Sequence, residues 1–254
     1  MTANDSRRIQ SVETAFEILD YMQHNDGAGV TDIANALSVS KSTAHGHLST
    51  LESLGYVVTV DGEYRVGLRF LEFGHNARSR YNLYEAAKAE ADQLANITGE
   101  RCQIMVAEGH RGVYIYQTAG ERAVQTDSHI GSSVDLHCTA VGKSYLASLP
   151  EDDLEAYLED VGLTENTEYT ITDPEAFRAE LADIREQGYA LNREERIIGM
   201  RAVGAPIVTD QDEVLGAISV SVPTTRLEDR QSDGDLSEQV QRSARVIAIR
   251  TTYS

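Results

Sequence analysis

Four short stretches of the sequence combine residue types that could do chemistry. His45 and His47 lie in "SKSTAHGHLST". Two residues apart on a helix, they point in different directions and cannot share a metal ion. No carboxylate stands at a spacing that would orient either ring as a base. His137–Cys138 offers two metal-ligand types side by side, but no second pair to complete a tetrahedral site. It reads as a buried thiol beside a polar histidine. Gly142-Lys143-Ser144 looks like the end of a phosphate-binding loop, yet His137 stands where the upstream glycine is required. Glu194–Glu195 is an adjacent carboxylate pair at the end of a strand-like run. Such neighbours face opposite sides, so a solvated or ion-paired role, with Arg193, Arg196 and Arg201 as available partners, is expected rather than acid/base catalysis. No catalytic residue, metal or cofactor is expected, and the chain does not read as an enzyme.

What remains is a chemistry of surfaces. Ala44, Leu48, Leu51 and Leu54 recur at helical spacing and predict the inner stripe of a helix that Ser40 can cap. The opposite side carries Ser42, His45, Gly46, Ser49 and Thr50, short polar groups suited to a phosphate backbone and to base edges in a major groove. His47 falls nearer the inner stripe and reads as a flank-packing residue. Gly55 stands where a left-handed C-terminal cap is wanted.

The surrounding elements would position that face. Ile9, Val12, Phe16, Leu19 and Met22 predict a first amphipathic helix, with Ser11 near its start and "NDGAG" after it. Thr31 can cap a second helix, "DIANALS", that buries Ile33, Ala34 and Leu37. After the third helix, "YVVTVDGEYRVG" sets Asp61-Gly62 between two β-favouring runs, a hairpin signal. Three helices and a hairpin in one short segment are the plan of a winged helix-turn-helix, here residues 7–67. An alternative is a signalling or enzymatic module whose N-terminal helices only dimerise. That alternative needs an apolar outer face on the third helix, for which Ser42, Ser49 and Thr50 are the wrong residues.

From Leu68 to Ile97 the pattern is helical with a break near Tyr81–Asn82, so residues 68–81 read as a linker helix. Residues 82–254 mix strand-like runs ("CQIMVAE", "GVYIYQT", "AVQTDS", "YALNREE", "AVGAPIV", "VLGAISVSV") with helices at "TAVGKSYLASL", "PEDDLEAYLEDV" and "DPEAFRAELADIREQG", and a last helix from about Asp235. The fold class is α/β (α+β), with an antiparallel sensor domain at the C-terminal end.

Charge separates the two parts. The 254 residues carry 41 acidic and 22 basic side chains, of which only Lys41, Lys88 and Lys143 are lysine, for a net charge of −19. Residues 1–80 hold ten acidic and seven basic residues, net −3, leaving 31 and 15, net −16, for residues 81–254. An acidic, lysine-poor surface suits a cytoplasm holding molar salt; an ordinary acidic protein is the alternative. In about 1 M salt the Debye length is near 3 Å, so this charge does not exclude nucleic acid as a partner. Runs such as "VLGAISVSV" are far too short to span a membrane. The N-terminus lacks a signal-peptide core and two cysteines make no disulfide framework, so a cytoplasmic protein is expected.

"SVSKSTAHGHLSTLESLGYV", the linker helix, "LHCTAVGKSYLASLP" and "GYALNREERIIGMRAVGAPIVTDQDEVLGAISVSVP" together resemble the isocitrate-lyase-regulator (IclR) family of transcription factors, in its order and spacing, from about Arg7 to the C-terminus. The composition looks like that of a haloarchaeal member. The resemblance implies a winged-helix DNA-binding domain, a GAF-like effector domain that binds a small metabolite, a homodimer or homotetramer on palindromic operators, and control, as activator or repressor, of carbon-source catabolic genes. The expected DNA-binding residues are Ser40, Lys41, Ser42, Thr43, His45, Gly46, Ser49, Thr50 and, in the wing, Arg65. Gly46 departs from the family, in which arginine is common there. The family's glyoxylate and pyruvate pocket maps to Ala140, Val141, Asn192, Met200, Ala202, Ser219 and Ser221. Asn192 stands in place of aspartate and Ala202 in place of cysteine, which favours a sugar, a sugar acid or another small carboxylate.

Overall fold

The computed structural model describes residues 8–228 and 233–253, and side chains outside 227–234. The expected start of the first domain, residue 7, lies outside the described residues. The chain folds as two compact units, residues 1–77 and 78–254.

The first unit runs α1 (Gln10–His24), α2 (Val30–Ala36), α3 (Lys41–Ser53), β1 (Val57–Val60), β2 (Glu63–Val66) and α4 (Phe70–Arg78). Ile18, Met22, Ile33, Ala44, Leu48 and Val57 form its core. α1 buries only part of the expected stripe, Leu19 and Met22. Ile18, Leu19 and Met22 are buried beside Thr14, whereas Ile9, Val12 and Phe16 are 65%, 49% and 59% exposed. Ser11 makes no cap, because Ile9 occupies that position. The cap of α2 also differs: the Gly29 N–H donates to Asp32 Oδ2 (3.2 Å), and Thr31 lies exposed in the first turn. Leu54 ends α3 half-exposed instead of completing its buried stripe.

The hairpin follows its turn chemistry. Val57 pairs with Val66 and Val60 with Glu63. Asp61 (φ 53°) and Gly62 (φ 86°) both adopt the left-handed conformation that a tight two-residue turn requires. Ala28 and Tyr64 exchange backbone hydrogen bonds of 3.0 and 2.9 Å, tying the end of α1 to the wing.

The second unit runs α5 (Leu83–Thr98), β3 (Arg101–Glu108), β4 (Arg111–Ala119), β5 (Ser133–Asp135), α6 (Ala140–Ala147), α7 (Glu151–Val161), α8 (Pro174–Gln187), β6 (Ala190–Arg193), β7 (Met200–Val208), β8 (Val214–Pro223), α9 (Thr224–Glu228) and α10 (Asp233–Thr252). The strands form one antiparallel sheet in the order β5-β4-β3-β8-β7-β6. One face packs on α5 and α10 through residues such as Cys102, Ile104, Val203, Val220 and Ile247. The other meets α6, α7 and α8 through Met105, Val141, Leu146, Phe177 and Leu181. "AVQTDS" is not a strand. The Arg101 guanidinium donates to Val124 O (3.2 and 2.9 Å), so this segment hangs from side chains and not from a ladder. Among the described residues, no helix is long and apolar enough to cross a membrane.

Candidate nucleic-acid interface and ligand pocket

α3 begins where Ser40 Oγ accepts the Thr43 N–H (3.0 Å), and the same hydroxyl lies 2.8 Å from Ser42 Oγ and from Thr43 Oγ1. Lys41, Ser42, Thr43, His45, Gly46, Ser49 and Thr50 are all exposed, while Ala44 and Leu48 are fully buried. Thr50 donates to Gly46 O (2.8 Å), and no atom outside the helix backbone lies within 4 Å of a Cβ added at Gly46. The helix thus shows a patch of bare backbone beside His45 and Ser49, neither of which has a side-chain partner among the described residues.

The wing cation is placed differently. Arg65 stands 3.8 Å from both Asp26 and Glu63, so acidic neighbours already engage it. Arg69 donates to Leu54 O and covers the Tyr56 ring at 4.8 Å. Among the described residues, Lys41 is therefore the one permanent cation on the exposed face of α3.

In the second unit, Ala140, Val141, Asn192, Met200, Ala202, Ser219 and Ser221 all line one pocket. The register explains the convergence. Asn192 pairs with Ala202 and Ala202 with Ser221, so three adjacent strands contribute one row of side chains to one face. Gly204 pairs with Ser219 one step along that face. A Cβ on Gly204 would lie 2.6 Å from the carbonyl of Ala140 and 2.9 Å from Val141 N, so only glycine lets α6 come down on the strand. Thr139 Oγ1 caps α6 by accepting the Gly142 N–H (3.1 Å). Among the described residues the N–H groups of Ala140 and Val141 have no partner, and the positive end of the helix dipole lies behind them. Such a terminus favours a carboxylate.

Part of the polar lining is uncommitted. Ser219 is 2% exposed and its hydroxyl has no partner among the described residues. Asn192 donates to Cys138 O, and its own carbonyl oxygen has no partner among the described residues. Ser221 donates to Gln103 Oε1 (3.3 Å), and Gln103 donates to Gln117 (3.1 Å).

Tyr114, Thr126, Ser128 and Arg196 also line this pocket, and sequence reasoning did not single them out as ligand contacts. Arg196 forks onto Asp127 (3.1 and 2.8 Å) and donates to Ser128 Oγ (3.2 Å). Burial pushes the Tyr114 phenol up to about 12 against the opposing pull of Arg196, so it remains a protonated donor.

The other motifs resolve into structure. Glu195 pairs with none of the expected arginines. Its Oε1 accepts Lys143 Nζ at 2.8 Å, and Lys143, fully buried, also donates to Glu180 (2.8 Å). Glu194 accepts the Gly199 N–H (2.7 Å). Cys138 is buried, accepts from Asn166 Nδ2 (3.0 Å), and has its thiol pushed up to about 11 by that burial. His137 Nε2 lies 2.8 Å from Thr164 O. Among the described residues, no three His, Cys, Asp or Glu side chains are grouped to hold a metal.

A winged helix with a polar outer helix face, followed by an α/β unit around a polar pocket, defines the class of ligand-responsive, DNA-binding transcriptional regulators. The chain belongs to the IclR family: residues 11–61 match the IclR helix-turn-helix domain and residues 75–249 the C-terminal domain of bacterial transcriptional regulators of the IclR type. It is 34% identical over 250 residues to the probable HTH-type transcriptional regulator ArcR of Halobacterium salinarum, covering 97% of this chain and 95% of that one. It is 35% identical over 248 residues to the HTH-type transcriptional regulator XynR of Escherichia coli, covering 96% and 98%. The crystal structure of the Thermotoga maritima IclR superposes with a TM-score of 0.83 at 32% identity, covering 97% of this chain and 100% of that one. The relatives are regulators and not enzymes, which sets aside the alternative of an enzymatic module with dimerising helices.

Proposed function

We propose that this chain controls carbon-source catabolic genes from a palindromic operator, which α3 reads and whose occupancy changes when a small carboxylate-bearing metabolite, such as a sugar acid, fills the pocket of the second unit. The observation that carries this reading is the convergence of free helix amides and unpartnered hydroxyls on one pocket. Ser40 to Thr43, His45, Gly46, Ser49 and Thr50 form the DNA surface, with Arg65 supporting the wing. Ala140, Val141, Asn192, Met200, Ala202, Ser219 and Ser221 hold the effector. A homodimer or homotetramer gives the operator its symmetry, because two copies reading two half-sites impose a two-fold repeat. Ile9, Val12 and Phe16 form an exposed apolar row on α1 suited to a second copy. The protein acts in the cytoplasm, where its operator is.

Footprinting on the gene's own upstream region and on neighbouring catabolic promoters, in about molar KCl and with candidate sugar acids, tests the reading. A symmetric footprint altered by one compound supports it; sequence-independent binding under every condition contradicts it.

The scarcity of cations on α3 leads to a further expectation. Few phosphate contacts mean little counterion release, so operator affinity should fall only gently with salt. Gly46→Arg should tighten binding at low salt and steepen the slope of log affinity against log salt by roughly 0.9, the signature of one added phosphate contact. Anisotropy titrations at several salt concentrations measure that slope.

A further inference from the structure

We infer that the pocket has an outer polar subsite, formed by Tyr114, Thr126 and Arg196, and that its ligand is a linear five- or six-carbon sugar acid whose far oxygens reach that subsite. The inference rests on the reading of this pocket as the effector site.

The two ends of the pocket lie on different strands. The N-terminus of α6 sits over Gly204 on β7. Tyr114 stands on β4, and the order β4-β3-β8-β7 puts it three strands away, roughly 14 Å across the sheet at the usual strand spacing. A ligand seated at Ala140 and Val141 must extend toward β4 to engage the polar groups there.

That end carries polar groups which the protein itself does not satisfy. Tyr114 is only 4% exposed and its hydroxyl has no partner among the described residues. Thr126 Oγ1 is shut off from solvent and also without a partner among them. A buried hydroxyl left unpaired is costly unless something supplies the bond. Arg196 adds the cation, and its present partner Asp127 is 64% exposed and free to turn to solvent. Phenol, hydroxyl and guanidinium are all donors, so the complementary group is rich in acceptors: the distal hydroxyls or the second carboxylate of a sugar acid.

The segment that carries Thr126 is held in place by the protein's own contacts. Arg101 binds Val124 O, and Gln117 donates to Ser128 O (3.1 Å). The subsite is thus built into the wall of the pocket.

Calorimetry on the full chain with glyoxylate and pyruvate on one side, and gluconate and galactarate on the other, tests the inference. The six-carbon acids should bind at least about tenfold more tightly than the short ones. Tyr114→Phe and Thr126→Val, each removing one hydroxyl with little change of shape, should each weaken a six-carbon acid about tenfold and leave any short-acid affinity unchanged. Short acids binding as tightly as long ones, or variants that bind the long acids like the wild type, would overturn the outer subsite while leaving the effector pocket standing. Binding of none of the four acids would overturn the carboxylate reading of the pocket itself, and the subsite with it.

Discussion

Lys143→Met is expected to destabilise the C-terminal unit by about 3–5 kcal/mol, because it breaks a buried ion cluster from one side only. Lys143 is fully buried, and its ammonium holds Glu180 Oε1 and Glu195 Oε1 at 2.8 Å each. Removing it leaves two carboxylates with no cation, one of them, Glu195, with its other oxygen already buried and without a hydrogen bond. Burying charge without a partner costs far more than a matched pair returns. The double variant Lys143→Met with Glu195→Gln should recover part of the loss, since it removes one of the stranded charges. Urea unfolding of the three proteins in high salt measures both effects. Equal stability of wild type and Lys143→Met would show that the cluster does not hold α6, α8 and the end of β6 together.

Gly204→Val is expected to abolish effector binding, by at least about a hundredfold, while operator binding persists. The new side chain would meet the backbone of Ala140 and Val141 at 2.6 to 2.9 Å. Backbone atoms cannot rotate aside, so α6 must lift from β7 and carry its free amides out of reach of the ligand. Overpacking of this kind typically costs about 1–3 kcal/mol of stability. The N-terminal unit has its own core and does not share that collision. Calorimetry should therefore show no effector heat, and operator occupancy should no longer respond to the effector. A variant that binds effector normally would mean that the α6 terminus is not where the carboxylate sits.

Much of this architecture is legible in residue spacing, and the places where spacing misleads have physical causes. α3 is readable because a capping serine, a buried Ala44–Leu48 stripe and a left-handed Gly55 (φ 78°) agree with one another. α1 is not, because two stripes compete. Leu19 and Met22 fit helical spacing with Ile9, Val12 and Phe16 as well as with Thr14 and Ile18, and periodicity cannot say which of the two sets meets the core. The sequence neighbours of Lys143 suggest a phosphate loop, whereas its partners lie 37 and 52 residues away. Simple alternation would place Tyr114 and Tyr116 on the same face of β4. A register shift between Ile104 and Met105 separates them instead. Tyr116 turns to Asp92 of α5 (2.7 Å), and Tyr114 turns to the pocket. No local pattern announces that bulge, so the outer end of the pocket cannot be read from the sequence.

We propose that α3 reads DNA through His45, Ser49 and the bare backbone at Gly46. The most direct measurement is quantitative footprinting of wild type, His45→Ala and Ser49→Ala on the operator in about 1 M KCl. The predicted result is a two-fold symmetric protected site, with each substitution weakening binding there by about tenfold, as the loss of a base contact does, and hardly changing affinity for unrelated DNA. A footprint that both substitutions leave unaltered would contradict the assignment of α3 as the reading helix.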